Sequence, residues 1–100
     1  MTYLLQIDFP YPGPWGDEMV TVMTALAQSI AQEPGLLWKL WTENLATGEA
    51  GGIYLFSDQL SAEAYLTMHI ARLKSFGILQ VNAKIFAVNE GLSRIDRAPL

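Results

Sequence analysis

Two periodicities of apolar residues alternate along the chain. Side chains alternate between two faces in residues 3–9, 36–45, 49–57 and 79–88, which predicts four β-strands. Residues 15–32 and 57–76 instead carry apolar side chains at helical spacing, which predicts two helices. Segments rich in proline and glycine separate several of these elements, as at residues 10–14, 33–35 and 46–48. The last dozen residues are expected to form a surface tail.

The order β-α-β-β-α-β predicts one α+β domain of ferredoxin-like plan over residues 1–100, with both helices on one face of an antiparallel sheet. The alternation gives the uncovered face an apolar set, namely Leu4, Leu37, Trp41, Tyr54, Phe56, Phe86 and Val88. A soluble monomer rarely exposes so much apolar surface, so we expect a homodimer. Its predicted contact residues are Leu37, Trp41, Phe86 and Val88. A bulge at Gly51-Gly52 would turn Tyr54 and Phe56 toward the helices instead, so their face stays open.

Composition narrows the function classes. The chain has 6 Lys/Arg against 10 Asp/Glu and a net charge of -4, which argues against nucleic acid as a partner because phosphate binding needs clustered cations. The absence of cysteine excludes disulfides and thiolate catalysis. No apolar run approaches the roughly 20 residues of a membrane span, and no secretory signal is seen, so a cytoplasmic protein is expected. With a single histidine and scattered acids, a metal site is not expected either.

His69 is the residue best suited to chemistry, because it is the only imidazole in the chain. Tyr65 and Arg72 lie about one helical turn before and after it, so these three are expected to line a space between helix and sheet, with Trp38 opposite. His69 would accept a proton from a ligand or donate a hydrogen bond to it; the alternative is a half-buried histidine with a local hydrogen bond. The predicted substrate-binding wall is apolar and aromatic: Trp15, Met23, Trp38, Tyr54 and Met68. Each of these could equally be plain core.

Four stretches of the chain carry a resemblance to a known family. They are residues 32–43 (QEPGLLWKLWTE), 49–56 (EAGGIYLF), 64–74 (AYLTMHIARLK) and 83–93 (AKIFAVNEGLS). In order and spacing they resemble the YdhR-type monooxygenase family, which is similar in fold to the dimeric α/β barrels. The resemblance implies two ferredoxin-like sheets packed face to face. It also implies likeness to cofactor-free oxygenases that convert aromatic phenols to quinones with tryptophan, asparagine, tyrosine and arginine in a helix–sheet cavity.

The resemblance leads to a first hypothesis of a small-molecule monooxygenase that uses neither a metal nor an organic cofactor. His69 would take the proton of a phenol, Trp38 and Tyr65 would stack on its ring, and Arg72 would stabilise anionic oxygen. Two alternatives stay open. One is a non-catalytic module that binds a small hydrophobic molecule. The other is a heme-binding relative in which His69 is an axial ligand.

Overall fold

The computed structural model describes all 100 residues. A four-stranded antiparallel sheet has the order β2-β3-β1-β4, which confirms the ferredoxin-like plan. The elements are β1 (Tyr3–Pro10), α1 (Gly16–Ile30), β2 (Leu36–Asn44), β3 (Glu49–Phe56), α2 (Gln59–Ser75), β4 (Asn82–Ala87) and α3 (Glu90–Ile95). None of the helices is long and apolar enough to cross a membrane.

The two central strands supply the main core. Leu5 and Ile7 of β1 lie opposite Tyr54 and Gly52 of β3, so all four face the helices. Leu5, Ile7, Tyr54 and Phe56 are almost completely buried. Tyr54 and Phe56, whose face the sequence left open, therefore lie on the helix side and not among the uncovered set. No bulge at Gly51-Gly52 puts them there, because the register between β1 and β3 runs without interruption. Alternation defines two sets of residues, but it does not say which set is covered.

The second strand contains the irregularity that the sequence suggested for the third. Leu36 lies opposite Phe56, and Trp38 lies opposite Leu55, so two steps along β2 match one along β3. This bulge puts Leu36 and Trp38 on opposite faces although they are two residues apart. From Trp38 onward the assignment of β2 is therefore inverted: Trp38 is on the uncovered face, and Trp41 is on the helix side. Gly51 and Gly52 instead let β3 lie close to its neighbours, because a Cβ on Gly51 would collide with the backbone of Ile7 in β1.

The two long helices pack on one face of the sheet and are held differently. The Asp58 carboxylate caps α2 by accepting a hydrogen bond from the Ser61 backbone N–H at 2.8 Å. Ala62, Tyr65, His69 and Leu73 then recur every three or four residues and are all buried. On α1 only Met19 and Ile30 are buried, so this helix is held mainly at its two ends.

The C-terminal segment is not a plain tail. Asn89 accepts a hydrogen bond from the Leu92 backbone N–H and begins α3, which the sequence analysis missed because six residues are too few to show a helical period. The chain then returns to the sheet, where the Trp38 Nε1–H donates to the Pro99 carbonyl at 3.0 Å. The segment therefore contacts the face of the sheet that lacks the long helices.

Candidate active site

A cavity of about 40 Å³ lies between the sheet and the long helices, and we call it the helix–sheet cavity. Eleven of its 15 lining residues are hydrophobic, and none is an aspartate or glutamate. The sheet contributes seven of the 15: Phe9, Lys39, Trp41, Thr42, Ala50, Gly51 and Tyr54. The rest of the wall comes from both helices and the segments that follow β1 and α2: Tyr11, Met19, Met23, Leu26, His69, Leu73, Phe76 and Ile78. The space is thus apolar with a few convergent polar groups.

His69 enters the cavity from α2 and is only 3% exposed. The Arg72 guanidinium, one turn further along, reaches Nδ1 of the ring with its Nε at 3.2 Å and a terminal nitrogen at 3.0 Å. A guanidinium can only donate, so Nδ1 accepts and the neutral ring carries its proton on Nε2. Burial, followed by the nearby charges of Arg72 and Lys39, lowers the pKa of His69 to about 3. The ring is therefore neutral at ordinary pH and offers an N–H to a ligand.

Two tyrosines support this histidine. The Tyr65 ring stacks on His69 with their centroids 5.0 Å apart, and its hydroxyl donates to the Tyr54 hydroxyl at 3.1 Å. Both tyrosines are more than nine-tenths buried. Burial raises the pKa of each phenol, so both remain protonated. The pair fixes the position of the His69 ring. Because the pKa of each phenol is raised, neither tyrosine is a phenolate at ordinary pH.

Lys39 lies in the same cavity because the β2 bulge turns it to the helix side. Its Nζ is 3.6 Å from the centroid of the Trp41 ring and 4.6 Å from that of Tyr54. No carboxylate pairs with this amine, since the only salt bridge of the chain joins Arg94 to Glu90. Burial, with a smaller contribution from Arg72, lowers the pKa of Lys39 to about 7.

Tyr11 adds a polar atom that the fold does not satisfy. Its ring lines the cavity and is 8% exposed, and its hydroxyl is buried without a hydrogen-bond partner. Burial, with a smaller contribution from Glu43, raises its pKa. Buried hydroxyls are nearly always paired, so an orphan beside a cavity indicates a group that a ligand or water satisfies.

The structure brings some of the predicted site residues together and separates others. His69, Tyr54 and Met23 line the cavity, while Tyr65 and Arg72 contact His69. Besides Tyr65 and Arg72, three more predicted residues lie outside that lining. Trp38 is on the opposite face of the sheet, so its predicted place opposite His69 is wrong. Trp15 packs edge-on against Tyr11, with centroids 5.3 Å apart, and Met68 is 37% exposed on α2.

The sequence analysis missed Lys39, Trp41 and Tyr11. Lys39 and Trp41 were assigned to the uncovered face because the alternation was read without the bulge at residues 36–38. Nothing in the sequence of residues 36–38 marks the extra residue, because Leu36, Leu37 and Trp38 are all apolar and fit either face. Tyr11 stands between two prolines, and nothing in its sequence context pointed inward.

Size and ligand chemistry limit what the cavity can hold as it stands. A pocket for a small molecule has a volume of roughly 300–1,000 Å³, so a space of about 40 Å³ is large enough for water but not for an aromatic ring. Binding of an aromatic ring therefore requires the side chains that line the cavity to move apart. No group of three or more histidine, cysteine, aspartate or glutamate side chains is placed to hold a metal ion.

The fold and the cavity together define a ferredoxin-like domain with a largely apolar internal site that contains a few polar groups. Its relatives make the class more specific: a protein-family model described as "Putative mono-oxygenase ydhR" matches residues 4–99, so the chain belongs to this monooxygenase family. No curated protein matches the chain at a significant level.

Two solved structures share the fold at low sequence identity. One is described as a putative antibiotic biosynthesis monooxygenase from Deinococcus radiodurans, with a TM-score of 0.64, 16% identity and coverage of 87% of this chain and 92% of that one. The other is SnoaB, a cofactor-independent oxygenase from Streptomyces nogalater, with a TM-score of 0.62, 15% identity and coverage of 88% and 93%. At these identities the likeness is one of fold.

Proposed function

We propose that this protein is a cofactor-independent monooxygenase that oxidises a small phenolic compound in the helix–sheet cavity. The observation that carries the proposal is a buried, largely apolar space into which His69 and Lys39 project without any carboxylate. The apolar wall and the amine without an acidic partner suit an aromatic compound with an acidic hydroxyl, once the lining side chains move apart to admit it. Membership of the monooxygenase family and the oxygenase among the fold relatives support the reaction type.

The reaction needs no external reductant. A phenol ionises to its phenolate, which is electron-rich enough to give an electron to O₂ and then combine with the reduced oxygen. One oxygen atom stays on the ring as a quinone carbonyl. The other leaves as water, together with the hydroxyl hydrogen and one ring hydrogen, so atoms and electrons balance.

In this proposal the side chains hold the substrate and the charge that develops on oxygen. His69 offers its Nε2–H as a hydrogen-bond donor, and the Arg72 guanidinium behind it keeps the ring in that tautomer. Such preorganised donors stabilise anionic oxygen in a water-poor site. The pKa of about 3 favours this role for His69 over that of the proton acceptor.

Oxygen uptake tests the proposal. The purified protein is supplied with a panel of phenols, and dissolved oxygen and the incorporation of labelled O₂ into product are followed. We expect one labelled atom in the product and a rate about 10²–10³-fold lower for His69→Ala, the range for removal of one oxyanion donor. Thr67→Ala, on the exposed side of the same helix, is the matched control. No uptake with any phenol would refute the oxygenase and leave a binding module.

We further propose that two copies pair through the sheet face that lacks the long helices. Phe86 is 48% and Leu40 is 57% exposed there, and Leu37 at the β2 bulge is also exposed. Of the other predicted contact residues, Val88 is half-buried just after β4, and Trp41 is on the helix side, so it does not belong to this face. Covering the exposed half of one Phe86 contributes about 2 kcal/mol.

A charge on this face tests the homodimer. Phe86→Glu places an unpaired carboxylate in the proposed contact, so light scattering should report a monomer where the natural chain gives a dimer. Leu60→Glu is the control, because Leu60 is 79% exposed on α2, away from the sheet. A dimer that survives Phe86→Glu unchanged would rule this face out.

A further inference from the structure

The surroundings of Lys39 leave room for its long side chain and place its amine against aromatic rings. Its stem passes Gly52 of the neighbouring strand, where a Cβ would come within 2.7 Å of the Lys39 Cε. Beyond that point the amine lies over the Trp41 ring and near the Tyr54 ring, at 3.6 and 4.6 Å from their centroids. No hydrogen bond or ion pair joins it to the rest of the chain. The only favourable contacts of the amine are therefore with aromatic faces.

The groups that face Lys39 include no anion. Helix α2 contributes Arg72 and the neutral His69, β3 contributes the Tyr54 phenol, and the segment after β1 contributes the Tyr11 phenol. The cavity side of α1 is apolar. Glu43, the acid next along the same face of β2, accepts a hydrogen bond from the Gly16 backbone N–H at the far end of the strand. The lining of the cavity thus includes one cationic side chain, Lys39, with the Arg72 guanidinium behind His69, and no carboxylate to balance them.

The two candidate bases of the site differ in availability. The Nδ1 atom of His69 already accepts from Arg72, and its pKa of about 3 makes the ring a poor proton acceptor. Lys39 has a free lone pair once it loses its proton, and its pKa of about 7 puts that loss in the neutral range. Amines buried in apolar surroundings near another cation are a known route to such reactivity.

We propose that Lys39 is the proton acceptor of the helix–sheet cavity and holds its ligand as an ammonium–phenolate pair. The O–H bond of the phenol breaks, its proton forms a third N–H bond on Lys39, and the electron pair stays on the phenolate oxygen. The ligand class is therefore a weakly acidic hydroxyaromatic compound. This inference rests on the proposed phenol site but not on turnover, because ionisation precedes any reaction with oxygen.

Binding of para-nitrophenol tests the ammonium–phenolate pair, because only its phenolate absorbs visible light. At the pH used here Lys39 is already largely an ammonium, so the transfer of the proton itself is tested by the second measurement below. At about one pH unit below the pKa of the dye, roughly one free molecule in ten is ionised. Saturating protein should make most of the bound dye ionised, which raises the visible band several-fold. Lys39→Met should abolish that rise, while Lys74→Met, a lysine exposed on α2, should leave it intact. A band that does not rise, a dye that does not bind, or an unchanged rise in Lys39→Met would each overturn the inference.

A second measurement uses the natural chain and does not depend on the folding of a variant. Carbon-13 labelled lysine reports the charge of each amine through the chemical shift of its Cε. At about one pH unit above the Lys39 pKa, that signal should be at its neutral-amine position and should move to the ammonium position when a phenol binds. A Lys39 signal that stays neutral in the bound state would overturn the inference.

Different experimental results would refute this inference and the oxygenase proposal. If the phenolate band rises and the Lys39 Cε signal moves to its ammonium position, but no phenol consumes oxygen, Lys39 is confirmed as the proton acceptor of a binding protein and the oxygenase is refuted. If oxygen uptake continues at its full rate in Lys39→Met, the oxygenase stands and the role of Lys39 is refuted.

Discussion

The lowered pKa of Lys39 makes an unusual prediction about stability. Between its folded pKa of about 7 and its ordinary value of 10.5, the unfolded chain holds a proton on Lys39 that the native chain has released. Stability rises with pH wherever the unfolded state binds more protons. The free energy of unfolding should therefore increase as pH is raised through this window. Below about pH 7 both states are protonated, and the full cost of burying the ammonium remains.

The size of the effect follows from proton linkage. Each pH unit inside the window contributes about 1.4 kcal/mol, so raising the pH from about 7.5 to about 9.5 should add about 2–3 kcal/mol. In urea, where a domain of this length loses about 1 kcal/mol per molar, the midpoint should move by about 2–3 M. Other groups do not titrate in this window. The lowered pKa of His69 also makes stability rise with pH, but only at acid pH. The raised pKa values of the buried tyrosines make stability fall with pH, but only above about pH 10.

Lys39→Met removes the titrating group and keeps a flexible apolar stem. Its stability should be flat across the same window and higher than that of the natural chain near pH 7. Lys74→Met should keep the slope of the natural chain. All three proteins are compared at one fixed concentration, because self-association would also shift the midpoints. A flat curve for the natural chain, or an equal slope in Lys39→Met, would refute the buried, uncompensated amine.

Two further substitutions examine the packing around the site. Tyr54→Phe and Tyr65→Phe should each lower the free energy of unfolding in urea by about 1–2 kcal/mol, because one buried hydroxyl loses its partner. The double variant should lose about 1 kcal/mol less than the sum of the two. Strictly additive losses would show that the 3.1 Å hydrogen bond contributes nothing. Gly52→Ala puts a methyl group 2.7 Å from the Lys39 Cε and should destabilise the chain by about 1–3 kcal/mol, less so when Lys39 is also changed to Ala. An equal cost in both backgrounds would mean that the methyl group clashes with something other than the lysine.

The sequence was sufficient for the fold because long segments repeat a single period. The β1 alternation from Tyr3 to Phe9 and the α2 stripe through Ala62, His69 and Leu73 survive an error of a residue or two at their ends. The order of these elements then leaves few topologies. The six-residue α3 had too few positions to show a period, so it was missed.

The site was harder to predict from the sequence than the fold, because the side chains that reach it depend on a register shift of one residue in β2. His69 and Tyr65 could be placed by helical spacing, which is local to α2. Lys39 and Trp41 depend on how β2 pairs with β3, and the bulge between Leu36 and Trp38 inverts every later side chain of the strand. Whether a strand contains such an extra residue is decided by pairing and packing with distant parts of the chain.

The same bulge connects the fold to the chemistry. Without it, Lys39 would lie on the uncovered face in contact with water, and Trp38 would fill the cavity with an indole. With it, the cavity receives an amine that no acid neutralises and that lowers the stability of the fold at neutral pH. A hydrophobic residue of similar length would stabilise this position, as buried charges replaced by apolar groups generally show. An amine without an acidic partner, in the same cavity as Tyr11 with its unpaired hydroxyl, therefore lowers the stability of the fold, but it suits a site whose missing anion is the ligand.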